Sequence, residues 1–129
     1  MPEEEETTEE GLAARLKKMS GKEKVAYWCN QLLKKYKREQ KDSLRVCFTT
    51  IRTYCLNAKE HPLEEKYLKI RKENNAFKTR VLPFEGALSL LEVCGFKDNG
   101  GEFLIIEGQP DGFVLGQALK FIDVILQQL

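Results

Sequence analysis

The sequence predicts one α+β domain, predominantly helical, with a small antiparallel hairpin just before a C-terminal helix. Three observations carry this. Apolar residues recur at the helical period over 21–38, over a second segment ending near Ala58, and over 112–129. The run "FKDNGGEFLII", residues 96–106, sets Asn99-Gly100-Gly101 between two apolar stretches, the pattern of a tight hairpin. A length of 129 residues with 42% hydrophobic content suits one core rather than two.

Each element has its own signal. Residues 1–10, "MPEEEETTEE", hold six Glu and no basic residue. Low hydrophobicity and high charge predict a disordered acidic tail, with the domain over 11–129. Segment 11–19 can form a short amphipathic helix. Ser20 and Glu23 have the spacing of a capping box, and Val25, Trp28, Cys29, Leu32, Leu33 and Tyr36 then make one apolar stripe. Asp42 or Ser43 can cap the next helix, whose stripe is Leu44, Cys47, Phe48, Ile51, Tyr54 and Cys55. It should stop near Ala58, because His61 precedes Pro62 and is pushed away from helical angles. Pro62, with Glu64 and Glu65, suits the first turn of a third helix over 63–74. Asn74 and Asn75 mark its stop and a restart. Residues 82–96 read as a further helix with Pro83 near its start and Gly95 as a left-handed cap. Val114, Leu115, Leu119, Ile122, Leu126 and Leu129 form the stripe of the terminal helix.

Composition narrows the function classes. The net charge is +1, yet without the first ten residues the chain carries 21 basic and 14 acidic side chains, a net +7. No run of 18 apolar residues exists to span a membrane, and the acidic N-terminus is unlike a secretory signal. The four cysteines, Cys29, Cys47, Cys55 and Cys94, lack C-x-x-C spacing, and most sit on apolar stripes. They are expected to be reduced, structural and intracellular. One histidine and dispersed cysteines argue against a zinc site and against a thiol enzyme. No metal or cofactor is expected. The basic run "KKYKREQK", with Lys34, Lys35, Lys37, Arg38 and Lys41, could meet nucleic acid phosphates. The solvated end of a helix, where cations suit the dipole, is the favoured reading.

"HPLEEKYLKIRKENNAF", residues 61–77, is less easily explained. On a helix, Tyr67, Arg71 and Asn74 would lie within roughly 60° of arc. Leu63, Ile70 and Phe77, at intervals of seven, would form a core-facing stripe beside them. Tyr, Arg and Asn together offer an amphipathic wall, a fixed positive fork, and a donor with an acceptor, enough to hold a peptide carboxylate. Arg71 paired with a Glu, and Asn74 capping a helix, would explain the same spacing equally well.

Residues 57–106 resemble a PUB domain. The resemblance rests on Pro62, Glu65-Lys66-Tyr67, Ile70-Arg71, Asn74, Phe77, Gly86 and Gly95-Phe96, followed by the glycine-containing hairpin, and it extends more loosely over 21–129. It implies a helical core with a small antiparallel sheet. It also implies a non-catalytic module that binds the acidic C-terminal tail of the AAA ATPase valosin-containing protein, whose end presents an aliphatic–aromatic pair. Such a module links the ATPase to ubiquitin and protein-quality-control functions, including ER-associated degradation. Carried over by similarity, the tail-binding positions are Asn57, Tyr67, Arg71 and Asn74. From charge alone, Lys66, Lys69 and Lys72 would add an attractive rim, while Glu73 would repel an acidic tail. The resemblance implies a monomer in the cytoplasm, with the nucleus also open to it, and no nucleic-acid or membrane partner.

Overall fold

The computed structural model describes residues 9–129. Its body is three long helices, α2 (Gly21–Tyr36), α3 (Lys41–Glu60) and α6 (Gly112–Gln128), preceded by α1 (Glu9–Lys18). The two shorter helices are α4 (Asn75–Arg80) and α5 (Ala87–Val93). Helix α1 starts two residues before the segment expected to be helical; the acidic tail over 1–8 lies outside the described residues. Buried Val25, Cys29 and Leu32 of α2, Cys47, Phe48, Ile51 and Cys55 of α3, and Leu115, Ala118 and Ile122 of α6 share one core. Helices α3 and α6 run antiparallel. Arg52 donates to Asp123 at 2.6 Å, Arg45 donates to the Leu129 carbonyl, and Lys59 reaches Gly116.

The capping box forms as expected: Ser20 Oγ accepts from the Glu23 N–H at 3.2 Å, and the Glu23 carboxylate accepts from the Ser20 N–H at 3.3 Å. Helix α3 begins at Lys41, with Gln40 in the cap position making no side-chain cap bond. Asp42 instead accepts from Arg45. The helix runs on to Glu60, two residues past Ala58, before His61 ends it. Helix α5 is shorter than the 82–96 segment expected. It ends at Val93, with Cys94 as its C-cap and then Gly95, whose φ of +109° only glycine adopts without strain. There the Gly95 N–H donates to Glu92 and the Phe96 N–H to Leu91, both at 3.0 Å, closing a Schellman motif over buried Leu91 and Phe96.

The third helix expected over 63–74 does not form. A single 3₁₀ turn (Glu65–Tyr67) is followed by a strand, β1 (Lys69–Arg71). Strands β2 (Lys97–Asp98) and β3 (Phe103–Ile105) are the expected hairpin, and β1 joins it on the other side of β3, antiparallel, in the order β1-β3-β2. The deciding apolar spacing is two, not seven. Leu68 and Ile70 are buried, and Ile70 lies opposite buried Leu104 across the ladder. Leu63, expected in the core, is 93% exposed. The seven-residue stripe was therefore half accidental: Ile70 and Phe77 are buried, but on different elements.

Candidate functional site

A groove of about 360 Å³ opens between α3 and the segment from β1 to the end of α4. Its α3 wall carries Thr49, Thr50, Thr53 and Tyr54. Each threonine hydroxyl donates to the carbonyl one turn back, on Arg45, Val46 and Thr49 respectively, at 2.8–3.1 Å. Those protons are thus engaged within the helix and leave the wall poor in donors. Ile70 and Ala76 contribute apolar surface, and Lys69, Arg71, Asn74 and Arg80 the polar remainder. Ala76 and Arg80 lie four apart on α4, so one face of that short helix fronts the groove. Burial pushes the Tyr54 hydroxyl pKa up, and the positive charge of Arg80 partly offsets that.

Arg71 and Asn74 both line this groove. They come from β1 and from the N-cap of α4, not from one helical face as expected. The side chain of Asn74 accepts from the Phe77 N–H at 3.2 Å, which fixes its oxygen as the cap and leaves the amide NH₂ as its free donor. Asn57 and Tyr67 lie outside the groove's lining. Asn57 is one turn beyond Thr53 on the same face of α3, and His61 is one turn beyond Asn57. Tyr67 stacks on His61, with centroids 4.6 Å apart and planes at 29°. Of the four expected positions, the groove brings together Arg71 and Asn74, while Asn57 and the His61–Tyr67 stack lie outside its lining.

The rim lysines differ among themselves. Lys69 pairs with Glu65 at 3.0 Å, and Lys72 pairs with Asp98, whose carboxyl is held below its ordinary pKa by that contact and by the Gly100 N–H. Lys66 Nζ lies 5.0 Å from the centre of the Tyr67 ring. Glu73, which sequence reasoning set against an acidic ligand, is paired with Lys78 at 3.1 Å. Neither Arg71 nor Arg80 has a carboxylate partner among the described residues. Arg80 and the threonine wall escaped sequence reasoning. The signal available was Asn74: as a helix cap, it would have put Ala76 and Arg80 on one face.

Other candidate chemistries have concrete fates. All four cysteines are free and buried. Burial pushes the thiols of Cys29 and Cys47 up to about 12. A hydrogen bond with Cys55, then burial, raises Cys94 well above its ordinary value. These protonated sulfurs are poor nucleophiles at neutral pH. Among the described residues no cluster of three His, Cys, Asp or Glu suits a metal ion, and no helix is long and apolar enough to cross a membrane. In the basic run, Lys35 pairs with Glu85, while Lys34, Lys37, Arg38 and Lys41 surround a shallow depression over Leu33.

A helix-dominated α+β domain with an open, arginine-rimmed groove beside its small sheet is the class these features define. The sequence model of the PUB domain matches residues 41–115, more than half of the chain, and the chain belongs to the PUB-domain family. It is 36% identical over 87 residues to UBX domain-containing protein 6 of Caenorhabditis elegans, a match covering 66% of this chain and 20% of that protein. The mouse protein of the same name is 36% identical over 77 residues, 60% of this chain and 17% of its own length. Chicken peptide-N(4)-(N-acetyl-beta-glucosaminyl)asparagine amidase is 38% identical over 61 residues, 47% of this chain and 9% of the amidase. The chain thus spans a fifth or less of the length of these relatives.

Proposed function

We propose that the domain is a non-catalytic interaction module that binds the acidic C-terminal tail of a valosin-containing protein-type AAA ATPase, tethering that ATPase to the functions of a larger protein. The observation that carries this reading is the groove: Ala76 beside the edge of buried Ile70, two arginines without carboxylate partners among the described residues, and the amide of Asn74 in one lining. An extended peptide ending in an apolar pair and carrying negative charge is its natural complement. Asn57, Tyr67, Arg71 and Asn74 act as the binding positions in this proposal, and Lys66 adds attraction at the rim. Glu73 stands as no obstacle, because Lys78 neutralises it locally. The non-catalytic part of the reading draws on the relatives, which match over the PUB region alone, and on the buried thiols.

A tail of a few residues must lose its own disorder on binding, so the affinity is expected to be on the order of micromolar. The test is a fluorescence-anisotropy titration of a labelled acidic peptide with a free carboxylate and an aliphatic–aromatic end. Saturable binding that weakens about tenfold in Arg71→Ala is expected, the loss of one charge-assisted hydrogen bond. Equal binding by the two proteins, or none by either, removes the site.

A further inference from the structure

The groove's positive charge is concentrated in two places. Lys69, the other cation of the lining, pairs with Glu65. Arg71 and Arg80 remain, both exposed and neither with a carboxylate partner among the described residues. They belong to different elements: Arg71 ends β1, and Arg80 is the last residue of α4. The same lining includes half-buried Ala76 and the edge of buried Ile70. A guanidinium stays charged at every accessible pH and presents a planar fork that matches one carboxylate. A ligand with a single carboxylate would satisfy one fork and leave the other unused.

A dipole role is the competing account of Arg80, since cations favour the last turn of a helix. Lys78 lies in that same last turn, but it bonds Glu73 and takes no part in the groove. Arg80 is the cation that α4 turns toward the channel, in line with Ala76. The dipole needs only a positive charge there and does not require that direction.

We infer that Arg80 is a second carboxylate anchor of this groove, specifying a peptide that carries two carboxylates. This rests on the reading of the groove as a peptide site. Arg71 and the Asn74 amide hold one carboxylate, and Arg80 holds the other.

The experiment is a set of anisotropy titrations at moderate salt. The peptides are an acidic tail with both an internal Asp and a free C-terminus, its Asp→Asn form, and its C-terminal amide. The proteins are wild type, Arg71→Ala, Arg80→Ala, Arg80→Lys and Lys78→Ala. Arg80→Ala should weaken the dicarboxylate peptide about tenfold, with Arg80→Lys recovering only part, while Lys78→Ala stays within about twofold because its charge is solvent-screened. For one of the two neutralised peptides, wild type and Arg80→Ala should bind alike, which identifies the carboxylate that Arg80 holds. Equal losses in Arg80→Ala and Lys78→Ala, or losses that simply add to each carboxylate's removal, overturn the inference in favour of a general charge effect. Binding that depends on Arg71 but ignores Arg80 overturns it while leaving the groove as a peptide site. No binding of any peptide to wild type overturns the groove reading and the inference with it.

Discussion

Asn74 caps α4 and, in the proposed function, also donates to the ligand, and the two roles can be separated. Its backbone is extended, at φ −60° and ψ 130°, and its oxygen accepts the Phe77 N–H at 3.2 Å to start α4. Its amide NH₂ has no hydrogen-bond partner among the described residues, and Asn74 lines the groove. Asn74→Ala removes both functions. The lost cap should cost about 1 kcal/mol, which for 129 residues is a fall of roughly 3–5 °C in Tm. Asn74→Asp removes only the donor. Aspartate caps as well as asparagine, and its negative charge at a helix N-terminus adds about 0.3–1 kcal/mol. The stability order should therefore be Asp at or above wild type, then Ala. The order for binding an acidic peptide should be wild type, then Ala, then Asp, because the new carboxylate sits beside Arg71 and repels the ligand. Urea denaturation gives the first order and anisotropy the second. Equal destabilisation by Ala and Asp would refute the cap, and undiminished peptide binding by Asn74→Asp would refute the donor.

Three further outcomes follow from packing and titration. Phe77 is 1% exposed, so Phe77→Ala should cost about 3–5 kcal/mol in chemical denaturation, while Arg71→Ala, at an exposed position, should leave the midpoint nearly unchanged. A β-carbon on Gly21 would lie 2.6 Å from Val114 Cγ2. Gly21→Ala should thus lose about 1–3 kcal/mol to overpacking, and as the first residue of α2 it recovers only part of the interior helix-propensity gain of about 1 kcal/mol; a net gain in Tm would contradict the close α2–α6 approach. The Cys29 and Cys47 thiols are raised from 9.0 to about 12 in the folded chain. The unfolded chain therefore ionises first, and the stability these thiols contribute is complete below pH 9 and drains away as pH climbs toward 12. Between about pH 9 and 10 each should cost about 1 kcal/mol. Cys47→Ala should flatten that slope by one thiol's share, and an unchanged slope would refute the assignment.

The long helices were legible because burial and periodicity coincide in them. The stripes of α2, α3 and α6 are amphipathic over four or more turns, and a local device, the Ser20–Glu23 box, fixes one start. The hairpin was legible for a similar reason: Asp98 and Asn99 accept from the Gly100 and Gly101 N–H groups, a turn built from its own four residues. Residues 63–74 failed because their partner is distant in sequence. Lys69–Arg71 find their backbone hydrogen bonds on β3, more than thirty residues away, and no local pattern shows that rescue. In a strand of three residues, alternation shows as one buried side chain between two others, too little to outweigh a seven-residue coincidence.

The same distinction governs charge. Sequence displays the density of lysines in 66–72 but not which carboxylates lie beside them. Lys69 and Lys72 each have an acidic partner, one of them contributed by the hairpin, and Glu73 has a basic one. Exposed pairs of this kind are individually weak, about 0–1 kcal/mol, so a strong ligand carboxylate can compete for the lysines. It must still displace a partner to do so. Arg71 and Arg80 require no such displacement among the described residues, and both line the same groove. Reaching that conclusion needed the position of β1, which brings Arg71 to the groove, and the cap at Asn74, which sets the phase of α4 and so turns Arg80 inward. Of the Tyr-Arg-Asn row expected on one helical face, Arg71 and Asn74 share the groove but on a strand and a helix cap, and Tyr67 lies outside its lining. Correcting the scaffold from one helix to a strand and a helix cap is what adds the second arginine.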